Sequence, residues 1–180
     1  MVKRQLSPVK CCARFARGFT LTEMIIVIGI MTFLLSITFV YTRSGGRQIA
    51  LYREQARLVS ELNRAKSLTI ERVQGAQKIC GYGISFIDSH TYVLFRDLPI
   101  GNSCGNFIYS GTQEDVDFIT IDPIVEIQSR SIKDILFVPP DPRIYFNGSP
   151  ALDEAKIIIG IPGGNFVAIS VNPGGQIVVQ

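Results

Sequence analysis

Residues 19–41 read FTLTEMIIVIGIMTFLLSITFVY, 23 residues in a row with a single charged side chain, Glu23. A helix of that length spans about 34 Å, enough to cross a bilayer. On its N-terminal side stand Lys3, Arg4, Lys10, Arg14 and Arg17, with no acidic residue among them. By the positive-inside rule such a flank keeps the N-terminus cytoplasmic and exports everything after Tyr41. A cleaved secretory signal fits less well, because the run exceeds a typical signal core, ends without an Ala-x-Ala site and carries a carboxylate near its start.

The rest of the composition fits one globular domain behind this anchor, with 47% apolar and 18% charged residues over 180 positions. The net charge of +3 belongs to the leader, since from Phe19 onward 13 basic residues face 15 acidic ones. A broad basic face for nucleic acid is therefore not supported. Cys11 and Cys12 are preceded by Val9 and Lys10, not by the apolar and small residues of a lipoprotein signal. No cysteine pair has zinc-ligand spacing.

Downstream of Thr42-Arg43-Ser44 two adjacent glycines, Gly45 and Gly46, are expected to weaken any continuous helix and to act as a hinge. From Arg47 the helical period returns, with Ile49, Tyr52, Ala56, Val59, Leu62, Ala65, Thr69 and Val73 predicted on one buried stripe. Arg53, Glu54, Arg57, Glu61 and Arg64 are predicted on the solvated side. Beyond Gly75 short runs of β-formers alternate with turn residues. Strands are predicted at 82–87, 91–96, 116–121, 135–138, 143–146, 156–161, 166–171 and 176–179, the first two as a hairpin around Asp88-Ser89-His90. The prolines of Val138-Pro139-Pro140-Asp141-Pro142 bar that stretch from a central strand and predict an exposed crossing.

The expected fold class is α+β. A long N-terminal α-helix, membrane-spanning in its first half and amphipathic in its second, packs on a C-terminal antiparallel β-sheet domain. The boundaries are a leader at 1–18, the transmembrane helix at 19–41, a hinge and amphipathic helix at 42–75, and an extracytoplasmic β-rich domain at 76–180.

Glu23 is the residue that demands a reason. A carboxylate inside a membrane helix costs about 2.5 to 3.5 kcal/mol on translocon scales, although so near the helix start it can snorkel to the headgroups. A cut between Gly18 and Phe19 would create an α-amino group, with pKa near 8, four residues before that acid. The amine and Glu23 of adjacent subunits could then neutralise each other. Arg17-Gly18-Phe19-Thr20-Leu21-Thr22-Glu23 followed by an unbroken apolar helix resembles the class III signal of type IV pilins and type II secretion pseudopilins.

That resemblance implies cleavage after Gly18 by a prepilin peptidase, N-methylation of Phe19, and Glu23 as the assembly glutamate. It also implies a non-enzymatic structural subunit of a pilus or pseudopilus. Other pilin or pseudopilin subunits, the peptidase, an inner-membrane assembly platform and membrane lipid are the implied partners, and no cofactor is implied. The implied location is the cytoplasmic membrane and then an extracytoplasmic filament. Phe137-Val138-Pro139-Pro140, Ile169-Ser170-Val171-Asn172 and Gly175-Gln176-Ile177 resemble the minor subunits of the H-type group. The alternative is a membrane-anchored extracytoplasmic binding protein, including a DNA-uptake pilin, for which Arg130, Lys133 and Arg143 are the basic residues of the late β region.

Cys80 and Cys104 lie in the exported part, where disulfides persist. A bridge between them is expected, set against two buried free thiols. No catalytic or metal site is predicted. His90 is the one histidine and falls at a hairpin tip. Asp115, Asp117 and Asp122 lack the EF-hand glycine and terminal glutamate. Gly81-Tyr82-Gly83 is read as the start of a strand and not as a phosphate loop.

Overall fold

The structure, a computed structural model, describes residues 18–71, 79–101, 103–139 and 143–180. The leader with Cys11, Cys12, Arg14 and Arg17, the predicted helix end around Val73, Asn102 and Pro140–Pro142 lie outside these residues. The fold is α+β. One helix, α1 (Leu21–Glu71), precedes ten antiparallel strands: β1 Gly81–Phe86, β2 Thr91–Asp97, β3 Asp115–Thr120, β4 Glu126–Arg130, β5 Asp134–Val138, β6 Arg143–Phe146, β7 Ser149–Pro150, β8 Ala155–Gly160, β9 Phe166–Val171 and β10 Ile177–Val179. By internal contacts the chain divides after Thr42.

The first unit contains the apolar start of α1. Its window Leu21–Thr38 is long and apolar enough to cross a membrane, and none of it is buried against the rest of the protein. The polar side chains inside it are satisfied locally. Thr32 Oγ1 donates to the carbonyls of Ile28 and Gly29, and Ser36 Oγ to that of Phe33. Such back-bonding lets hydroxyls sit in an apolar environment without stranding a donor.

The break expected at Gly45-Gly46 does not occur, because α1 continues through both. A Cβ at either glycine would meet nothing within 4 Å, so no close contact requires them. Their cost, about 1 kcal/mol each relative to alanine, is too small to interrupt the helix there.

In the second unit two sheets form, ordered β3-β2-β1-β5-β6-β7 and β10-β9-β8-β4. One apolar cluster joins α1 to both, with Leu58 and Leu62 of the helix, Ile84, Phe86 and Ile135 of the first sheet and Ile157 and Ile169 of the second. The buried stripe of α1 differs from the predicted one. Leu62, Ala65 and Thr69 are buried as expected, but above them Leu58, Glu54 and Leu51 turn inward while Ile49 and Tyr52 are exposed. Both paths obey the three-and-four spacing, and the leucines follow the one that meets the sheets.

Thr69 fastens the lower end of this contact. Its hydroxyl donates to Ala65 O and Phe137 O and accepts the Tyr82 N–H, linking α1 with β1 and β5. Arg57 and Arg64, expected on the solvated side, reach the edge strand β3. Arg57 donates to Thr120 O at 3.1 Å, and Arg64 pairs with Asp117 at 3.0 Å. Charges placed along an open edge discourage pairing with another strand.

The predicted strands form within one or two residues of their expected bounds, and β4 and β7 are added to them. In β1 the glycines explain Gly81-Tyr82-Gly83, since a Cβ on Gly83 would run into the Ile135 carbonyl of β5. The 98–114 connection covers the outer face of the first sheet. Its Phe107 stacks on Tyr145 at 4.4 Å between centroids, and Tyr109 meets Phe95 edge-on at 5.6 Å.

Leu58→Ala is expected to lower unfolding free energy by about 2 to 5 kcal/mol, as for a fully buried leucine. Tyr52→Ala should stay within about 0.5 kcal/mol. Denaturant unfolding of the two variants side by side checks which face of α1 is buried, and the reverse ranking would restore the predicted stripe.

Candidate functional site

The junction Gly18-Phe19 precedes α1 in non-helical chain. A Cβ on Gly18 would have no neighbour within 4 Å, and Phe19 is 75% exposed, so nothing in the described residues shields this peptide bond. Thr20 then caps the helix. Its Oγ1 accepts the Glu23 N–H at 3.2 Å, and the Thr20 carbonyl accepts the first helical N–H, from Met24. Thr20-x-x-Glu23 is thus the backbone half of a capping box. The carboxylate of Glu23 sits in the first turn, where the helix dipole favours negative charge.

The second cluster lies at one end of β1 and β2. Cys80 N–H donates to Asp97 O at 2.9 Å, which fixes the chain entering β1 beside the end of β2. Cys80 is buried and Cys104 is exposed, and both are thiols in this structure. The structure brings them together: burial pushes the Cys80 thiol up to about 12, and the adjoining Cys104 thiol adds to the shift.

Asp97, which sequence reasoning missed, joins this cluster. It is wholly buried, and among the described residues neither carboxylate oxygen has a hydrogen-bond partner. Burial pushes it up to about 6, the charge of Glu114 adds to the shift, and the Phe107 N–H draws part of it back. Phe107 has a φ of 60°, an uncommon value for a residue with a side chain. Gly105 closes over the carboxylate so tightly that a Cβ there would lie 2.7 Å from Asp97 Oδ1. Nothing in the letters around Asp97 marks it, because it stands on the outer face of the first sheet with Val93 and Phe95, and only the folding back of 98–114 buries it.

The remaining residues are not drawn into one site. His90 sits in its turn, its N–H donating to Asp88 Oδ1 at 2.7 Å and its ring Nδ1 2.9 Å from Ser89 Oγ. Asp117 pairs with Arg64, and Asp122 accepts the Ile124 N–H. Among the described residues no group of three or more His, Cys, Asp or Glu side chains could hold a metal ion.

Residues 14–39 match the family model described as "Prokaryotic N-terminal methylation motif". No curated protein and no solved structure matches the chain. The motif is that of the type IV pilin leader. With the apolar helix behind it, it supports a type IV pilin-like, membrane-anchored subunit that is processed by a prepilin peptidase and assembles with other pilin subunits.

Asp97 also makes stability depend on pH. Its carboxyl is raised from 3.8 to about 6 in the folded protein, so folded chains hold the proton more tightly than unfolded ones. The contribution is present in acid and is lost as pH rises from about 4 through 6. Relative to wild type, Asp97→Asn is expected to gain about 1 to 3 kcal/mol between pH 4 and pH 7. Urea unfolding of both proteins at the two pH values measures this, and parallel curves would show that Asp97 ionises as freely as a surface acid.

Proposed function

We propose that the protein is a minor pilin or pseudopilin subunit. It inserts in the cytoplasmic membrane with its N-terminus inside, is cut after Gly18 and methylated on Phe19, and joins a helical filament through α1. One observation carries the reading. The apolar segment that begins at the matched leader motif is wholly uncovered by its own chain. Lipid covers such a surface before assembly, and like helices cover it afterwards. The β domain contributes the outward face, and its 137–140, 169–172 and 175–177 segments support a place in the H-type minor group. Export also favours a Cys80–Cys104 bridge, which would leave neither thiol open to alkylation in unreduced, denatured protein.

A second reading of Glu23 is that its side chain would complete the capping box whose backbone half Thr20 already forms. The residue can serve its own helix start, with no role between subunits. Glutamine separates the two, since it retains the reach of a capping-box side chain and lacks the charge.

Mass spectrometry of the membrane-purified protein is expected to show a mature chain starting at N-methylated Phe19. An intact leader in cells that possess the peptidase would overturn the maturation. Glu23→Leu and Glu23→Gln are both expected to insert and fold, but to cross-link to companion subunits about tenfold less or worse. That loss matches the roughly 1 to 3 kcal/mol of leaving a buried polar partner, here the Phe19 amine, unpaired. Normal cross-linking by Glu23→Gln alone would assign the residue to capping.

A further inference from the structure

We propose that the cleft between the two ends of the 98–114 connection binds a primary ammonium group on an apolar stem, the lysine side chain of a partner protein. The cleft measures about 590 Å³, with Leu98, Pro99 and Ile100 on one side and residues 110–114 on the other. All of its lining belongs to the β domain, so the inference does not rest on the reading of the N-terminal helix.

The charge of the cleft is negative and unanswered. Glu114 lines it and is only 6% exposed, a costly place for a carboxylate without a cation or several donors. Among the described residues one donor reaches it, the Ser110 N–H at 2.7 Å from Oε2. Positions 98–114 contain no Lys or Arg, and Asp97 and Asp115 stand at either end of them. Asp97 is wholly buried and without a hydrogen-bond partner among the described residues, and its charge and that of Glu114 act on each other. The ion pairs of the described residues, Glu54–Arg57, Glu61–Arg64 and Asp117–Arg64, all take their cation from α1 and include no residue of the cleft.

The walls select the kind of cation. Leu98, Pro99 and Ile100 offer apolar surface to a methylene stem, and Ile100 is left 66% exposed by its own chain. A metal ion gains nothing from such a wall, and among the described residues no group of three ligating side chains could hold one. Arginine is best met by a carboxylate with both oxygens free for its planar fork, whereas Oε2 of Glu114 is already engaged and an ammonium needs only one oxygen.

Both sides of the cleft are also set in advance. The Ile100 N–H donates to Ser103 O at 3.2 Å, and the Glu114 N–H donates to Gly111 O at 3.0 Å, with Gly111 at a φ of 135° that side chains rarely adopt. A preformed cleft loses little freedom on binding. Its rim residues Thr112 and Gln113 are exposed, so the backbone that carries the lysine rests outside while the side chain enters.

The test uses the full chain, isotope-labelled in detergent, titrated with acetyl-Ala-Lys-Ala-amide and followed by amide NMR. Saturable shifts are expected at Leu98, Ile100 and residues 110–114. The same peptide with norleucine for lysine keeps the stem without the charge and should bind about fivefold more weakly, as should the lysine peptide to Glu114→Gln, the scale of a charged contact in a partly solvated site. Ile100→Ala alters an exposed side chain, so it tests the wall even if Glu114→Gln folds poorly, and it should weaken binding about twofold. Absence of saturable shifts, equal binding of the norleucine peptide, or unchanged binding by Glu114→Gln and Ile100→Ala overturns the ammonium site. An arginine peptide that binds as tightly overturns the choice of lysine, and free pentylamine binding as tightly overturns the protein partner.

Discussion

The domain depends on the burial of one stripe of α1 against two sheets that share no strand. Leu51, Leu58, Leu62 and Ala65 supply side chains to a cluster that contains residues from both sheets. Without the helix each sheet would expose an apolar face, at about 25 cal/mol per Å² of surface left in water. The same helix carries the matched methylation motif at its other end.

The strands were legible because their chemistry is local. β-Branched and aromatic residues alternate between turn residues from Tyr82 to Val179, and eight of the observed strands follow that signal. The two that escaped did so for different reasons. β4, Glu126–Arg130, buries one side chain, Ile127, and is held by its neighbours, with Ile127 N–H donating to Ser89 O in the first hairpin. No apolar pattern could reveal it. β7 was marked in the sequence by Asn147-Gly148, the residues of a tight hairpin, and both have positive φ here. That signal was present and went unread.

The helix shows where periodicity alone runs out. From Leu62 toward the N-terminus, steps of three and four lead either through Val59, Ala56, Tyr52 and Ile49 or through Leu58, Glu54 and Leu51. The second path accepts a buried glutamate, whose Arg57 partner lies 3.8 Å away, in exchange for two fully buried leucines. A reading that penalised the charge chose wrongly, because one partly paired carboxylate is outweighed by two leucines, each contributing about 1.5 to 3 kcal/mol. The N-terminal site was legible for the opposite reason. Its motif lies within one continuous stretch, residues 14–39, and requires no tertiary contact.

Asp97 belongs to the class that sequence cannot disclose, since its character comes from what folds over it. Phe95 and Val93 share its side of β2 and are covered by aromatic residues of the same connection, so an apolar residue at 97 would extend an existing cluster. A carboxylate there, with Gly105 pressed against it and Phe107 in a strained backbone conformation, is the less stable choice for a domain that only has to fold. Strain and an uncompensated acid thus fall at one place, the end of β2.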